Sequence, residues 1–342
     1  MTVQQVASSF HDELQTAAAG TAARVAGLWR QVDPSAIIDS WSELLPEAVA
    51  DVAVGQAAAA TAGSTYTASI VREQGLDFPV REANPRALSG VASDGRPLET
   101  LFALPAHQTV GRIGRGQGTQ EAMESTRRHL MMFAATQAQD AGRQSASVGM
   151  VGTRQLGGYR RQLTPPSCAR CAILAGKWFR WNQGFQRHPS CDCVHVPSVG
   201  ESADVGGLET FDPQAHFNSL PAAEQDRVFT KAGAEAIRDG ANMNLVVNAR
   251  RGLRTTAAYG RKISTTLEGT TSRAMSARIM NQELDVQFGR RRQGDRSRRI
   301  NVPRLTPEQI YADASSREDA IRLLGRFGYL GGWAPRIRPT RA

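Results

Sequence analysis

Val3, Val6, Phe10 and Leu14 recur at steps of three and four residues, the spacing of one face of an α-helix. The pattern predicts a helix to about Gln31. Asp33-Pro34, an acidic cap followed by proline at a first helical position, predicts the start of a second. Its apolar stripe is Ile37, Ile38, Trp41, Leu44 and Leu45. Pro46 is expected to break or kink it, since proline lacks an amide proton and crowds the carbonyl four residues back. An alanine-rich helix is then expected over Glu47–Glu73, and Gln4–Glu73 reads as a helical hairpin or bundle.

Gly75–Pro97 is rich in Gly, Pro, Asn and Asp and reads as a loop. Leu98–Ile113 is expected to be helical and Gly114–Gly118 to turn. Thr119 then reads as the cap of a helix reaching Ser147, with Glu121 and Glu124 in its first turns. Met131, Met132 and Phe133 are expected in its core, and His129 on a solvated face beside Arg127 and Arg128. After Gly152–Gly158 the period shortens: Tyr159–Leu163, Lys177–Trp181 and Cys191–Val196 read as strands, and Ala169–Ala175 as a short helix.

Past a polar linker at Glu201–Gly207, helices are expected from Pro221, over Ala232–Asp239 with a stop at Gly240, and over Met243–Ala249. Thr255–Ile279, rich in Thr, Ser and Gly, reads as loop with short elements. Thr306-Pro-Glu-Gln309 has the form of a capping box. Ser315 and Ser316, followed by Glu318 and Asp319, repeat the signal above Ile321, Leu323 and Leu324. The expected fold is mainly α, with a helical N-terminal bundle, a small α+β zinc-knuckle module and a helical C-terminal part. The expected boundaries are 1–75 for the hairpin or bundle, 76–150 for linker and helices, and 151–200 for the knuckle module. A helical extension at 201–285, a flexible basic segment at 286–304, and C-terminal helices and a loose basic tail at 305–342 complete the chain.

With 342 residues and 41% hydrophobic content the chain can bury a core in two or three domains. The net charge of +9 is uneven: residues 1–100 carry 6 arginines, no lysine and 12 acids, leaving +15 for the remainder. Two different neighbours are expected for the two ends. No apolar run approaches the roughly 18 residues of a transmembrane helix, so no membrane partner is expected. Gln287–Arg304 holds Arg290, Arg291, Arg292, Arg296, Arg298, Arg299 and Arg304 without evident apolar periodicity. It reads either as a solvated linker or as a contact to a phosphate backbone, the latter through Arg290, Arg291, Arg292, Arg296, Arg298 and Arg299. Sparse aromatics there argue against base stacking.

All 4 cysteines lie between residues 168 and 193, as C-x2-C followed, nineteen residues on, by C-x-C. Such clustering suits structural zinc, held tetrahedrally by thiolate and imidazole. The donors are Cys168, Cys171 and Cys193, with the fourth from Cys191 or His188. His195 has the weakest claim. Two disulfides or four inert thiols are the other readings; Met1–Phe10 is polar and amphipathic, unlike the signal peptide that disulfides would require. A mostly thiolate set makes a closed site and a poor Lewis acid.

The segments PPSCARC, GKWFRW and HPSCDCVH resemble the motif of the MuF-like phage head-morphogenesis proteins, or minor capsid proteins. Met1–Pro46, Gly90–Leu101 and Thr230–Gly252 are similar to the version found in phages of actinobacteria, often labelled a capsid maturation protease. The resemblance covers most of the chain. It implies a virion component inside the capsid, present in the host cytoplasm during assembly. Its implied partners are the portal and the major capsid or scaffold proteins, and packaged DNA through the basic segment. No G-x-S-x-G elbow, P-loop or H-E-x-x-H occurs, so catalytic residues stay unassigned. A protease would need residues brought together from distant positions. A zinc-dependent DNA-binding or HNH-type nuclease module is a further reading, short of its second knuckle and catalytic His set.

Overall fold

The computed structural model describes residues 1–164, 167–182, 193–258, 260–291, 293–294 and 296–330. Among these residues the chain is mainly helical, with twelve α-helices and two small antiparallel sheets of three strands each. They form two compact units. Met1–Ser167 with Leu174–Phe211 makes the first, and Cys168–Ile173 with the described residues from Asp212 onward makes the second.

The first unit is built on four helices: α1 (Val3–Trp29), α2 (Ile37–Glu73), α3 (Leu98–Gly114) and α4 (Thr119–Gly152). Thr2 caps α1, its hydroxyl accepting from the Gln5 amide while the Gln5 side chain accepts from the Thr2 amide. Val3, Ala7, Phe10 and Leu14 are buried against Ala59, Tyr66 and Ile70 of α2, with Phe10 and Tyr66 stacked 4.2 Å apart. A second cluster gathers Trp29, Trp41, Phe102 and Leu130. There the indole N–H groups of Trp29 and Trp41 donate to the Met123 and Phe102 carbonyls at 3.0 and 2.8 Å. Small residues set the crossing of α2 and α4. A Cβ on Gly63 would strike the Gly142 carbonyl, and one on Gly142 would strike Leu14.

Three helix boundaries differ from expectation. Asp33 does not cap α2; its carboxylate accepts from the Ser35 amide and hydroxyl at 2.8 and 2.7 Å, closing a turn before the helix begins at Ile37. Pro46 does not end the helix, which runs 37 residues through it. A mid-helix proline costs about 3 kcal/mol, and the apolar stripes buried on both sides of it against one core outweigh that. Gly118 rather than Thr119 occupies the cap of α4, which continues to Gly152. No helix among the described residues is long and apolar enough to cross a membrane.

The first sheet has the order β2-β1-β3, from β1 (Gly158–Gln162), β2 (Trp178–Arg180) and β3 (Val194–Ser198). Val194 and Val196 of β3 pack into the Phe10–Tyr66 cluster. The Tyr66 hydroxyl donates to the His195 carbonyl at 2.8 Å, and the Gln74 amide to the Pro197 carbonyl at 2.7 Å.

The second unit begins with α5 (Ala169–Ala172) and continues with α6 (Pro213–Ser219), α7 (Ala222–Phe229), α8 (Lys231–Arg238) and α9 (Met243–Ala249). Then β4 (Leu253–Ala258) and β5 (Arg261–Thr266) pair as a hairpin, followed by α10 (Met275–Leu284). The short β6 (Arg304–Leu305) joins the free edge of β5, ahead of α11 (Pro307–Asp313) and α12 (Arg317–Arg326). A hairpin and the start of a helix therefore form most of the stretch expected to be loop with short elements. Thr and Ile are β-branched and pair well across strands, as the Thr256 and Thr265 hydroxyls do at 3.2 Å; Gly260 adopts the left-handed φ of 74° at the turn.

Thr306 caps α11 by accepting from the Gln309 amide, but the Gln309 side chain accepts from Ser264 at 2.7 Å, so only half of the expected box forms. The arginine-rich stretch carries apolar residues that fold back. Val286 and Ile300 are buried with Ala277 and Met280, Phe288 and Val302 pack beside them, and Phe288 bridges Ile300. Arg304 is fully buried.

Candidate metal centre and basic cleft

Cys168 is the cap residue of α5, with extended backbone, and Cys171 is the third residue of that single-turn helix. The Ala172 amide closes that turn on the Cys168 carbonyl at 3.1 Å. This places the two sulfurs 3.6 Å apart. Four thiolates about 2.3 Å from a tetrahedral zinc would be spaced by roughly 3.8 Å, whereas a disulfide needs about 2.05 Å. The pair thus fits one edge of a metal site and not a bond between these two residues. Between them, the Arg170 guanidinium donates to the Asn248 side chain at 2.5 Å, tying α5 to α9.

Cys193 precedes β3 and is fully buried. The Arg161 guanidinium from β1 donates to its sulfur. A cationic donor suits a sulfur carrying negative charge, the form in which cysteine binds metal. Arg160, the next buried arginine of β1, is held by the carbonyls of Gly176 and Glu201. The His195 ring stacks on Tyr159 at 4.0 Å. His188 and Cys191 lie outside the described residues. Among those that are described, no group of three His, Cys, Asp or Glu is placed to hold a metal ion.

Comparison with protein-family models, curated proteins and solved structures finds no match.

Of the remaining histidines, His107 and His129 are exposed. His216 is half-buried, and burial lowers its pKa. His11 Nδ1 lies 3.2 Å from the Thr164 hydroxyl, but the two residues are only 7% and 5% exposed. That burial makes the pair a core tie rather than a nucleophile presented to substrate.

The second unit carries a cleft of about 900 Å³ lined by Arg254, Arg290, Arg291 and Arg299 over Leu267 and Ile300. One wall belongs to the β4–β5 hairpin. The other is the ribbon in which Gly289 donates to the Arg299 carbonyl and Ile300 to the Thr270 carbonyl, at 2.8 and 3.0 Å. The Arg299 guanidinium donates to the Leu267 carbonyl at 3.1 Å and the Thr270 hydroxyl at 3.0 Å. Arg296 and Arg298 are exposed outside the lining, and Arg292 lies outside the described residues. Arg254 lies on β4, one residue before the Thr255–Ile279 stretch that reads as loop with short elements, and the hairpin brings it beside the arginine segment.

Proposed function

We propose that this chain is a structural component of a phage head: a MuF-like minor capsid protein acting at the portal and capsid interior during head assembly and DNA packaging or delivery. The observation that carries the reading is the Cys168–Cys171 pair, held at a metal-edge spacing inside the segment that resembles the MuF motif. In this reading one zinc ion cross-links the cysteine segment, with Cys168 and Cys171 as two of its thiolates. Cys193 gives the third, and the fourth donor comes from Cys191 or His188. The ion supplies folding free energy, on the order of 10 kcal/mol in small modules. The protein supplies fixed sulfurs and, at Cys193, the Arg161 donor. Burial of Cys171 and Cys193 supports a structural rather than a hydrolytic role. The long helices of the first unit serve as the protein-docking element, and the basic ribbon faces DNA.

Co-expression with the cognate portal protein and affinity purification tests the reading. A stable complex that survives nuclease treatment is expected. A portal that assembles normally and retains none of this chain would count decisively against it.

A further inference from the structure

We infer that the cleft of the second unit is a groove for the phosphodiester backbone of double-stranded DNA, and that Arg254, from outside the arginine-rich segment, is one of its contacts. The inference rests on the DNA-facing role proposed above and deepens it, replacing a run of charged residues by a shaped site. Guanidinium groups from two separate segments, Arg254 on β4 and Arg290, Arg291 and Arg299 on the ribbon, converge on one cavity of about 900 Å³ whose described lining holds no carboxylate. Like charges gathered this way repel one another, and a polyanion relieves the repulsion.

Arg299 is positioned in advance. Its two hydrogen bonds to the Leu267–Thr270 turn, and the bridge between Thr271 and Arg299, fix it to the ribbon. The volume far exceeds the roughly 30 Å³ of one water molecule, so a run of phosphates fits rather than one isolated anion. The floor is aliphatic, from Leu267 and Ile300, and no aromatic ring is among the described residues that line the cleft. Bases of a single strand would find nothing among those residues to stack on. An acidic protein surface would find no large apolar or aromatic anchor. Guanidinium forks and side-chain amides over a short aliphatic floor match phosphate and sugar contacts, which carry no sequence information.

The test uses the full chain and short fluorescent duplexes of unrelated sequence, titrated by anisotropy across a salt series. Four contacts predict a log–log salt slope of about −3.6, similar for every duplex. Arg254→Ala should make the slope shallower by about one and weaken binding about eightfold at roughly 0.1 M salt. Arg254→Lys should keep the slope. Arg227→Ala, which removes an exposed cation of α7 outside the cleft, should change neither. Arg254 is exposed, so a retained circular dichroism spectrum is expected for both variants at this position. Wild-type protein that binds duplex, with Arg254→Ala indistinguishable from it, would overturn the cleft while leaving the arginine segment as a DNA contact. Absence of any duplex binding would overturn both. Tighter binding of single strands, or equal competition by polyglutamate, would overturn the assignment to a duplex backbone.

Discussion

Arg304 offers the sharpest test of how the basic ribbon is anchored. It is fully buried. Its guanidinium donates to the carbonyls of Phe327, Glu268 and Gly328 at 2.8, 3.0 and 3.3 Å. The same group lies 3.8 Å from the centre of the Tyr329 ring. One side chain thus joins β6, the turn before α10 and the end of α12. Arg304→Met keeps the length of the stem and removes every donor. Three hydrogen bonds from a charged donor are worth about 1.5 kcal/mol each, and the ring contact about 1 kcal/mol. Relief of a buried cation returns roughly 2 kcal/mol. The net loss is about 3–4 kcal/mol, or a few-hundredfold in a local opening constant. Native-state hydrogen exchange read by mass spectrometry should show β5, β6, α11 and α12 exchanging faster by that factor, with α1, α2 and α4 unchanged. Arg304→Lys keeps the charge and loses the fork, and should fall between. A change under about tenfold in those elements would refute the anchoring role.

Gly63→Ala forces a methyl group into the Gly142 backbone where α2 crosses α4; overpacking of about 1–3 kcal/mol should lower the melting temperature of the first unit by about 3–8 °C, and an unchanged melting curve would mean the crossing is looser than described. Tyr329 is buried, which raises its pKa from 10.0 to about 12 despite the opposing pull of Arg304. Its protonated form is thus the one bound by the folded state, so its contribution is complete below pH 10 and is lost as pH rises toward 12. Wild-type protein should lose about 2–3 kcal/mol more over that window than Tyr329→Phe, measured by urea midpoints at successive pH values; parallel curves would contradict this.

The helical skeleton of the first unit is legible in the sequence because its signals are local and periodic. The Val3–Leu14 stripe is buried along most of its length, and Leu98–Gly114 follows its apolar spacing. Pro46 misleads because a residue's local preference says nothing about how much surface lies on either side of it to be buried. The β4–β5 hairpin is hidden for a related reason: alternation among Thr, Ser and Lys carries little hydropathy contrast, so strand and loop look alike. Arg304 shows the limit most plainly. In the sequence it is the seventh arginine of a basic run, while in the structure its neighbours in space, Glu268 and Phe327, come from turns far along the chain. The cysteine spacing predicts a metal site; the structure places the Cys168 and Cys171 sulfurs 3.6 Å apart, and among the described residues no third ligand joins them. The structure sets Cys193 against Arg161, a pairing that no spacing rule contains.

Metal content decides the most. Protein purified without added metal should carry one zinc ion per chain by native mass spectrometry and elemental analysis, and should lose it when Cys168 and Cys171 are both replaced by serine. Metal-free wild-type protein that is fully folded, with its cysteines alkylated as readily as in a denatured control, would contradict a zinc-fastened segment.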